Sequence, residues 1–337
     1  MENVKLSPAQ KFWKTVKSNP IVVLLVVIGI IVGFTKDNFF SWRNFGNLAS
    51  NTAVRFLIAL GVSGCLITKG TDLSAGRQVG FAACLAGVLL QRANYAGRLF
   101  PNMPEMNMGV VLLIVLAIGA VFGLLNGLII AFLNVPPFIA TLGTQTIIYG
   151  ISLVFTDAQP IGGFQESYNN LINGCIGDPK GFYLPYLLFV AVIFGLFFWF
   201  LYNKTCHGKY MYAIGGNEAA AEVAGVNVHA TKIRIYILAS CMFGLAGCLL
   251  AAKSGGASVN TAMGYELDAI AACTIGGVST TGGVGTVPGV LVGVLVFELM
   301  KVALQFMNVN SSYTYIVQGL VIIVAVAIDI RKYLAKK

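Results

Sequence analysis

The sequence predicts an all-α, polytopic membrane protein of about ten transmembrane helices, some broken or re-entrant, with N- and C-termini in the cytoplasm. Three observations carry this. The 337 residues are 57% hydrophobic and only 10% charged, with a mean hydropathy of +0.80, where a soluble domain is roughly a quarter charged. Apolar runs suited to a hydrocarbon core about 30 Å thick recur along the whole chain, so no soluble domain of ordinary size separates from them. Basic residues collect at the ends and in a few loops, as translocation bias predicts. The net charge of +9 comes without a basic stripe interleaved with aromatics, so nucleic acid is excluded as a partner.

Residues 1–18 are a basic cytoplasmic segment, and no small-residue cleavage pattern follows them, so the first helix is expected to remain as an uncleaved anchor. A single transmembrane domain then covers 19–330, and a basic tail covers 331–337. Within the domain, apolar runs set against charged or Pro/Gly-rich breaks give spans near 19–35, 47–68, 78–91, 109–133, 137–155, 183–202, 233–252, 267–281, 286–306 and 314–330. An N-terminus in the cytoplasm puts fourteen basic residues inside: Lys5, Lys11, Lys14, Lys17, Lys69, Arg77, Lys204, Lys209, Lys232, Arg234, Arg331, Lys332, Lys336 and Lys337. Six fall outside (Lys36, Arg43, Arg92, Arg98, Lys180, Lys253), and Arg55 and Lys301 lie within spans. An even number of spans follows.

The third and eighth spans are short, glycine-rich and flanked by charge. Such backbone is tolerated at membrane depth only when buried in protein or lining a watery cavity, so both are expected at the bundle centre. Gly119, Gly123 and Gly127, and likewise Gly285, Gly289 and Gly293, recur at every fourth position. This small-xxx-small spacing lets helix backbones approach closely, and packing within one chain is favoured over a dimer contact.

Nucleotide and enzyme chemistry are excluded by spacing. In "ITKGTDLSAGRQVGFAA" (67–83) five residues separate Gly70 from Gly76, and Arg77 and Gln78 stand where a P-loop needs lysine and a hydroxyl. "GGVSTTGGVGTVPG" (276–289) lacks the preceding strand and following acid of a dinucleotide fold; it reads as a helix break. No catalytic triad, zinc motif or paired carboxylates with a partner base occur. The seven cysteines show no C-x-x-C spacing and read as packing residues, while His207 and His229 alone make a poor metal site. Asp72 and Asp268 each precede an apolar helix, which favours N-capping; a capped broken helix also points its N-terminus at a cavity.

In the long loop 203–232, "NEAAAEVAG" offers an Asn N-cap, a glutamate in the first turn, alanines and a glycine stop. A helix of about two turns is marginal alone, so it either lies on its own protein or is offered to a cytoplasmic subunit.

"TKGTDLSAGRQVGFAA", "NVPPFIATLGT" (134–144), "GKYMYAIGGNEAAAEVAGVNV" (208–228) and "YELDAIAACTIGGVSTTGGVGTVPGVLVG" (265–293) resemble the hallmark segments of the sugar-importing ABC transporter permeases of the ribose, xylose and galactose type, over essentially the whole chain. "GTDLSAGRQVG" and "YELDAIAAC" point to the galactose/methyl-galactoside branch. The resemblance implies a bacterial inner-membrane subunit that pairs with a second copy of itself, a cytoplasmic ABC ATPase and a periplasmic sugar-binding protein, amid membrane lipid. It implies no cofactor on this chain, ATP and Mg being used by the ATPase, and no catalysis. Gly216, Asn217, Glu218, Ala219, Ala220 and Gly225 correspond to the helix that couples to the ATPase. Lys69 stands where relatives often carry a neutral residue, and 156–182 has no motif that aligns.

A neutral, hydroxyl-rich sugar needs hydroxyl, amide and aromatic surfaces. Asp72, Asn126, Thr141, Thr144, Gln145 and Asn260 are the polar groups placed to line such a path; the plainer role for each is an interhelical hydrogen bond worth about 0.6 kcal/mol. The rival expectation is an ion-coupled secondary sugar transporter, for which Arg55, Glu298 and Lys301 are the ionisable residues within or beside spans. They are expected near span ends, or snorkelling toward the interface.

Overall fold

The computed structural model describes residues 20–178 and 182–334. The basic segment 1–18, Lys180, Lys336 and Lys337 lie outside the described residues. The helices are α1 (Pro20–Thr35), α2 (Trp42–Ile67), α3 (Ala75–Leu89), α4 (Met108–Phe132), α5 (Pro137–Thr156), α6 (Glu166–Asn173), α7 (Tyr186–Lys204), α8 (Cys206–Gly216), α9 (Glu218–Val223), α10 (Val228–Ser254), α11 (Tyr265–Ile275), α12 (Val287–Phe306) and α13 (Ser311–Leu334). One antiparallel hairpin, β1 (Cys175–Gly177) with β2 (Tyr183–Pro185), interrupts them.

Seven helices, α2, α4, α5, α7, α10, α12 and α13, are long and apolar enough to cross a membrane. α1, α3 and α11 are shorter, and each occupies a segment read from the sequence as a span. Backbone hydrogen bonds inside a helix leave nothing to be met by lipid, which is why apolar runs of this kind take this form. α2 and α10 are buried on nearly every side, whereas α7 and α13 expose long apolar side chains such as Ile193, Phe200, Ile316 and Ile323. The core thus lies around α2 and α10, and the outer helices turn apolar side chains outward, as a hydrocarbon solvent demands.

Helix approach is set by small residues. A methyl group added to Gly119 would lie 2.7 Å from the Ser240 carbonyl oxygen, one on Gly127 would lie 2.8 Å from the Ile233 Cα, and one on Gly123 would strike the backbone at Tyr236. The first glycine stripe therefore seats α4 on α10. In the second, Gly289 and Gly293 press on the Gly276 and Ala272 carbonyls, seating α12 on α11. Both stripes serve packing within the chain.

The connections segregate to two ends. At one, Gln91 pairs with Phe164, Ile161 pairs with Ala257, and the Asn173 amide donates to the Ala252 carbonyl at 2.8 Å. At the other, the Gly283 N–H donates to the Ile67 carbonyl at 2.8 Å, and the Tyr212 hydroxyl donates to the Gly285 carbonyl at 2.8 Å. Asp329 Oδ2 there accepts from the Thr280 backbone and hydroxyl, both at 3.0 Å.

Three expectations are corrected. The stretch 203–232 is not a loop with one short helix: Thr205 caps a further helix, α8, by accepting from the Gly208 N–H at 3.3 Å, and α10 already begins at Val228. Arg77 does not lie in an end loop; it sits in the first turn of α3, donates to the Val259 carbonyl at 2.9 Å and stacks 4.2 Å over the Tyr149 ring. Asp268 does not cap α11. Gly264, at φ 84°, starts that helix, which leaves Asp268 a full turn inside it and free to meet cations on neighbouring helices.

Candidate functional site

α2 ends at Ile67, and residues 68–74 turn the chain back into the bundle, where α3 is buried along almost its whole length. Asp72 is fully buried, and its Oδ1 accepts from the backbone N–H of Ser74 at 2.9 Å and from the Ser74 hydroxyl. This is the local turn that aspartate favours. It lies just ahead of α3, whose own N-cap, Ser74, makes no side-chain capping bond, so Asp72 caps the entry turn and not the helix itself.

From Ser74 the network spreads across three helices. Its Oγ accepts from Gln78 Nε2 at 2.9 Å and from Asn126 Nδ2 of α4 at 3.1 Å. Asn126 Oδ1 accepts from the Thr144 hydroxyl of α5 at 2.6 Å. Thr141, one turn earlier, accepts from the Leu73 N–H at 3.1 Å and donates to the Pro137 carbonyl at 2.8 Å. Asp72, Asn126, Thr141 and Thr144 are thereby brought together, tying α3, α4 and α5. Gln145 is half-buried and Asn260 exposed, and neither joins the network. Asp72 Oδ2, Gln78 Oε1 and the Tyr236 hydroxyl are buried without a hydrogen-bond partner.

The two short helices meet. A methyl group on Gly76 of α3 would lie 2.7 Å from the Ala262 carbonyl and would overlap the Glu266 carboxylate in the first turn of α11. Both half-length helices therefore start in contact inside the bundle, where irregular backbone is protected from lipid.

At the far end, the Asn217 side chain accepts from the Ala220 N–H at 3.1 Å and opens α9, and Gly225, at φ 87°, turns the chain after it. Ala221 is the root of α9, packed with Ile214, Val226 and Val228. Ala219 and Ala220 face outward with Val223, which is 91% exposed. Glu218 pairs with Lys232 at 2.6 Å, and Lys69 Nζ reaches the Gly216 carbonyl at 3.2 Å. A cavity of about 270 Å³ lies between these groups, the start of the re-entrant turn and Asn134.

A second polar centre lies among α2, α11 and α12. Arg55 binds Asp268 and Glu298, each at 2.6 Å, and Lys301 binds Asp268 at 2.6 Å with Glu298 at 3.8 Å. Arg55 also lies 4.3 Å over the Tyr265 ring. Two cations and two acids balance one another, the arrangement that makes buried charge tolerable.

A family model described as "Branched-chain amino acid transport system / permease component" matches residues 44–326. The chain belongs to this permease family. The relatives are permeases by name. Identity is 49% over 319 residues to the galactose/methyl galactoside import permease protein MglC of Escherichia coli (strain K12), covering 94% of each chain. It is 47% over 331 residues to the protein of the same name from Haemophilus influenzae, covering 97% of this chain and 98% of the relative. The ribose import permease protein RbsC of Escherichia coli (strain K12) is 35% identical over 323 residues, 96% of each chain. No solved structure matches.

Within this permease the four-residue charge cluster is what sequence reasoning placed least well. Arg55, Glu298 and Lys301 do not sit at span ends or snorkel: Arg55 is at the middle of α2, Glu298 is 2% exposed and Lys301 is 9% exposed. One signal was available. Glu298 and Lys301 stand three apart on one helix and so share a face, and charge shared by two apolar helices must find partners.

Proposed function

We propose that this chain is the membrane-spanning subunit of an ATP-binding-cassette importer that passes galactose or a methyl galactoside inward across the bacterial inner membrane. The observation that carries the reading is near end-to-end identity of 49% with an import permease named for those sugars. In this reading a periplasmic sugar-binding protein delivers the substrate, a cytoplasmic ATPase holds the ATP and Mg, this chain binds no cofactor of its own, and two copies pair.

The topology proposed is ten crossings with both termini cytoplasmic: the seven long helices plus α1, α3 and α11. The end that carries α8, α9, Lys69, Lys204 and Arg234 is the cytoplasmic one, in keeping with positive-inside bias. Residues 19–330 form one permease domain, with 1–18 and 331–337 as basic cytoplasmic ends. α9 is the element that seats in the ATPase, since a short helix with a small outward face and a packed root is a rigid peg for a groove. Gly216, Asn217 and Gly225 set its ends, and Glu218, Ala219 and Ala220 meet the partner. Asp72, Asn126, Thr141 and Thr144 act on the sugar path by holding α3 in place, with Gln145 and Asn260 nearer its surface.

The test is reconstitution in vesicles with the ATPase and binding protein. Labelled galactose is expected to accumulate only when all three proteins and ATP are present. Glu218→Lys combined with Ala220→Trp is expected to lower sugar-stimulated ATP hydrolysis at least tenfold. Accumulation by this chain alone, driven by an imposed proton or sodium gradient, would overturn the reading in favour of ion coupling. Against that alternative speaks the pairing of Asp268 and Glu298 with Arg55 and Lys301, which leaves neither acid free for a coupling ion.

A further inference from the structure

A cavity of about 230 Å³ opens where α10 and α12 end, at the face of the bundle opposite α9. Its wall includes Asn51, Arg55, Lys253, Tyr265, Glu298 and Gln305. Three of these are ionised, two are amides and one is an aromatic ring, an unusual lining between apolar helices. Lys253 Nζ contacts Asn51 Oδ1, and Glu298 Oε1, though beside the Arg55 cation, accepts no aligned hydrogen bond. Charged groups inside a membrane protein mark a solute pathway by default, because each must be paired or wetted. Here Arg55, Glu298 and Lys301 are paired with one another or with Asp268, and Arg55 and Lys301, whose side chains are 19% and 11% exposed, keep part of their surface open while Glu298 is buried behind them.

We propose that this cavity is a low-affinity hexose-binding chamber on the entry side of the permease. The chemistry suits a neutral polyol. Charge-assisted hydrogen bonds from Lys253, Arg55 and Lys301 match hydroxyl oxygens, which accept as well as donate. The Asn51 and Gln305 amides donate and accept without charge, and Tyr265, whose ring carries Arg55 over one face, completes the wall beside them. Fixed, mutually neutralised charges hold their positions with no ligand present, so a sugar replaces water and no group needs to change protonation. A binding protein supplies affinity upstream, so a chamber that releases its guest readily serves import better than a deep well. The assignment rests on the import reading above.

The test uses the assembled importer in vesicles. Ser254 lines the chamber and belongs to no ion pair, so Ser254→Trp fills the space while leaving the charge cluster intact; Asn51→Ala removes one amide. Ser254→Trp is expected to lower galactose uptake at least tenfold with assembly and basal ATP hydrolysis retained. Asn51→Ala is expected to raise the KM for uptake about three- to tenfold with little change in maximal rate. Saturation-transfer NMR on the wild-type permease alone in nanodiscs, with methyl β-galactoside as probe, is expected to show contact that Ser254→Trp abolishes. Uptake kinetics within twofold of wild type in both variants, or a probe signal unchanged by Ser254→Trp, would overturn the chamber while leaving the import reading standing. Wild-type vesicles that accumulate no galactose would instead sink the import reading.

Discussion

The polar network at the start of α3 and the charge cluster among α2, α11 and α12 both place hydrogen-bonding groups inside an apolar bundle, but they reach satisfaction by opposite means. Around Ser74 the groups are short and neutral apart from Asp72, and they bond both to backbone atoms and to one another across three helices. Around Asp268 the groups are ionised, come from three helices, and are satisfied by opposite charges and by the Tyr265 and Phe297 rings. The first arrangement can lose a member and relax locally. The second cannot, because removing any one charge leaves another buried without its counterpart. Both centres fix helices, but the neutral network ties α3 to α4 and α5, whereas the charge cluster ties α2 to α11 and α12 beside an open cavity.

The largest effect should come from breaking the cluster on one side. Glu298→Ala leaves Arg55 and Lys301 to share the single charge of Asp268 and is expected to cost about 3–5 kcal/mol, read as a drop in the thermal unfolding midpoint of the permease in detergent and in folded yield. Removing charge in pairs should behave differently. Arg55→Met with Glu298→Met leaves Asp268 to Lys301, and stability is expected to return to within about 1 kcal/mol of wild type, since apolar replacement of a buried pair is often neutral. A double variant as unstable as the single one would show that the cluster is held by shape and not by charge balance.

The neutral network should yield less. Asp72→Ala leaves the Ser74 N–H without its acceptor inside the bundle and is expected to cost about 1–3 kcal/mol, while Asp72→Asn keeps an acceptor oxygen and should lose less. Thr144→Val removes one interhelical hydrogen bond, for which about 0.6 kcal/mol is typical in membranes. The order Glu298→Ala, Asp72→Ala, Thr144→Val in unfolding midpoint is the comparison in measurable form, and a reversal of the first two would break it.

The two regions also differ in how far they could be read from sequence. The neutral network was half legible. "GTDLSAGRQ" announces a short, charge-flanked helix that must be buried, and Asn126, Thr141 and Thr144 stand out as polar residues in apolar runs. What the sequence could not say is that they bond to one another across α3, α4 and α5. The Asn217 cap and glycine stop of α9 were legible because capping is local, and the glycine stripes because helical spacing is local. α8 was missed because "CHGKYMYAIGG" mixes charge with terminal glycines and looks like a loop until Thr205 is seen to cap it. The cluster was illegible because Arg55 and Asp268 lie 213 residues apart, and no local pattern encodes a pairing that only the packing of α2 against α11 creates.

Acid titration sharpens the comparison only after one background contribution is removed. His207, in α8 and outside the spans, has its imidazole held below the ordinary histidine value, first by burial and then by the nearby Arg234 charge. The folded protein therefore binds fewer protons at this site than the unfolded chain does. By linkage, stability at this site is fully present above the unfolded value near 6.5, falls as pH drops below it, and reaches its full loss once the pH lies below the folded value. Replacing the ring with an uncharged polar group, His207→Asn, is expected to flatten the slope of unfolding midpoint against pH below about 6.5 while leaving the Glu298→Ala and Asp72→Ala differences in place at neutral pH. An unchanged slope would show that the His207 ring does not carry the acid sensitivity of the fold.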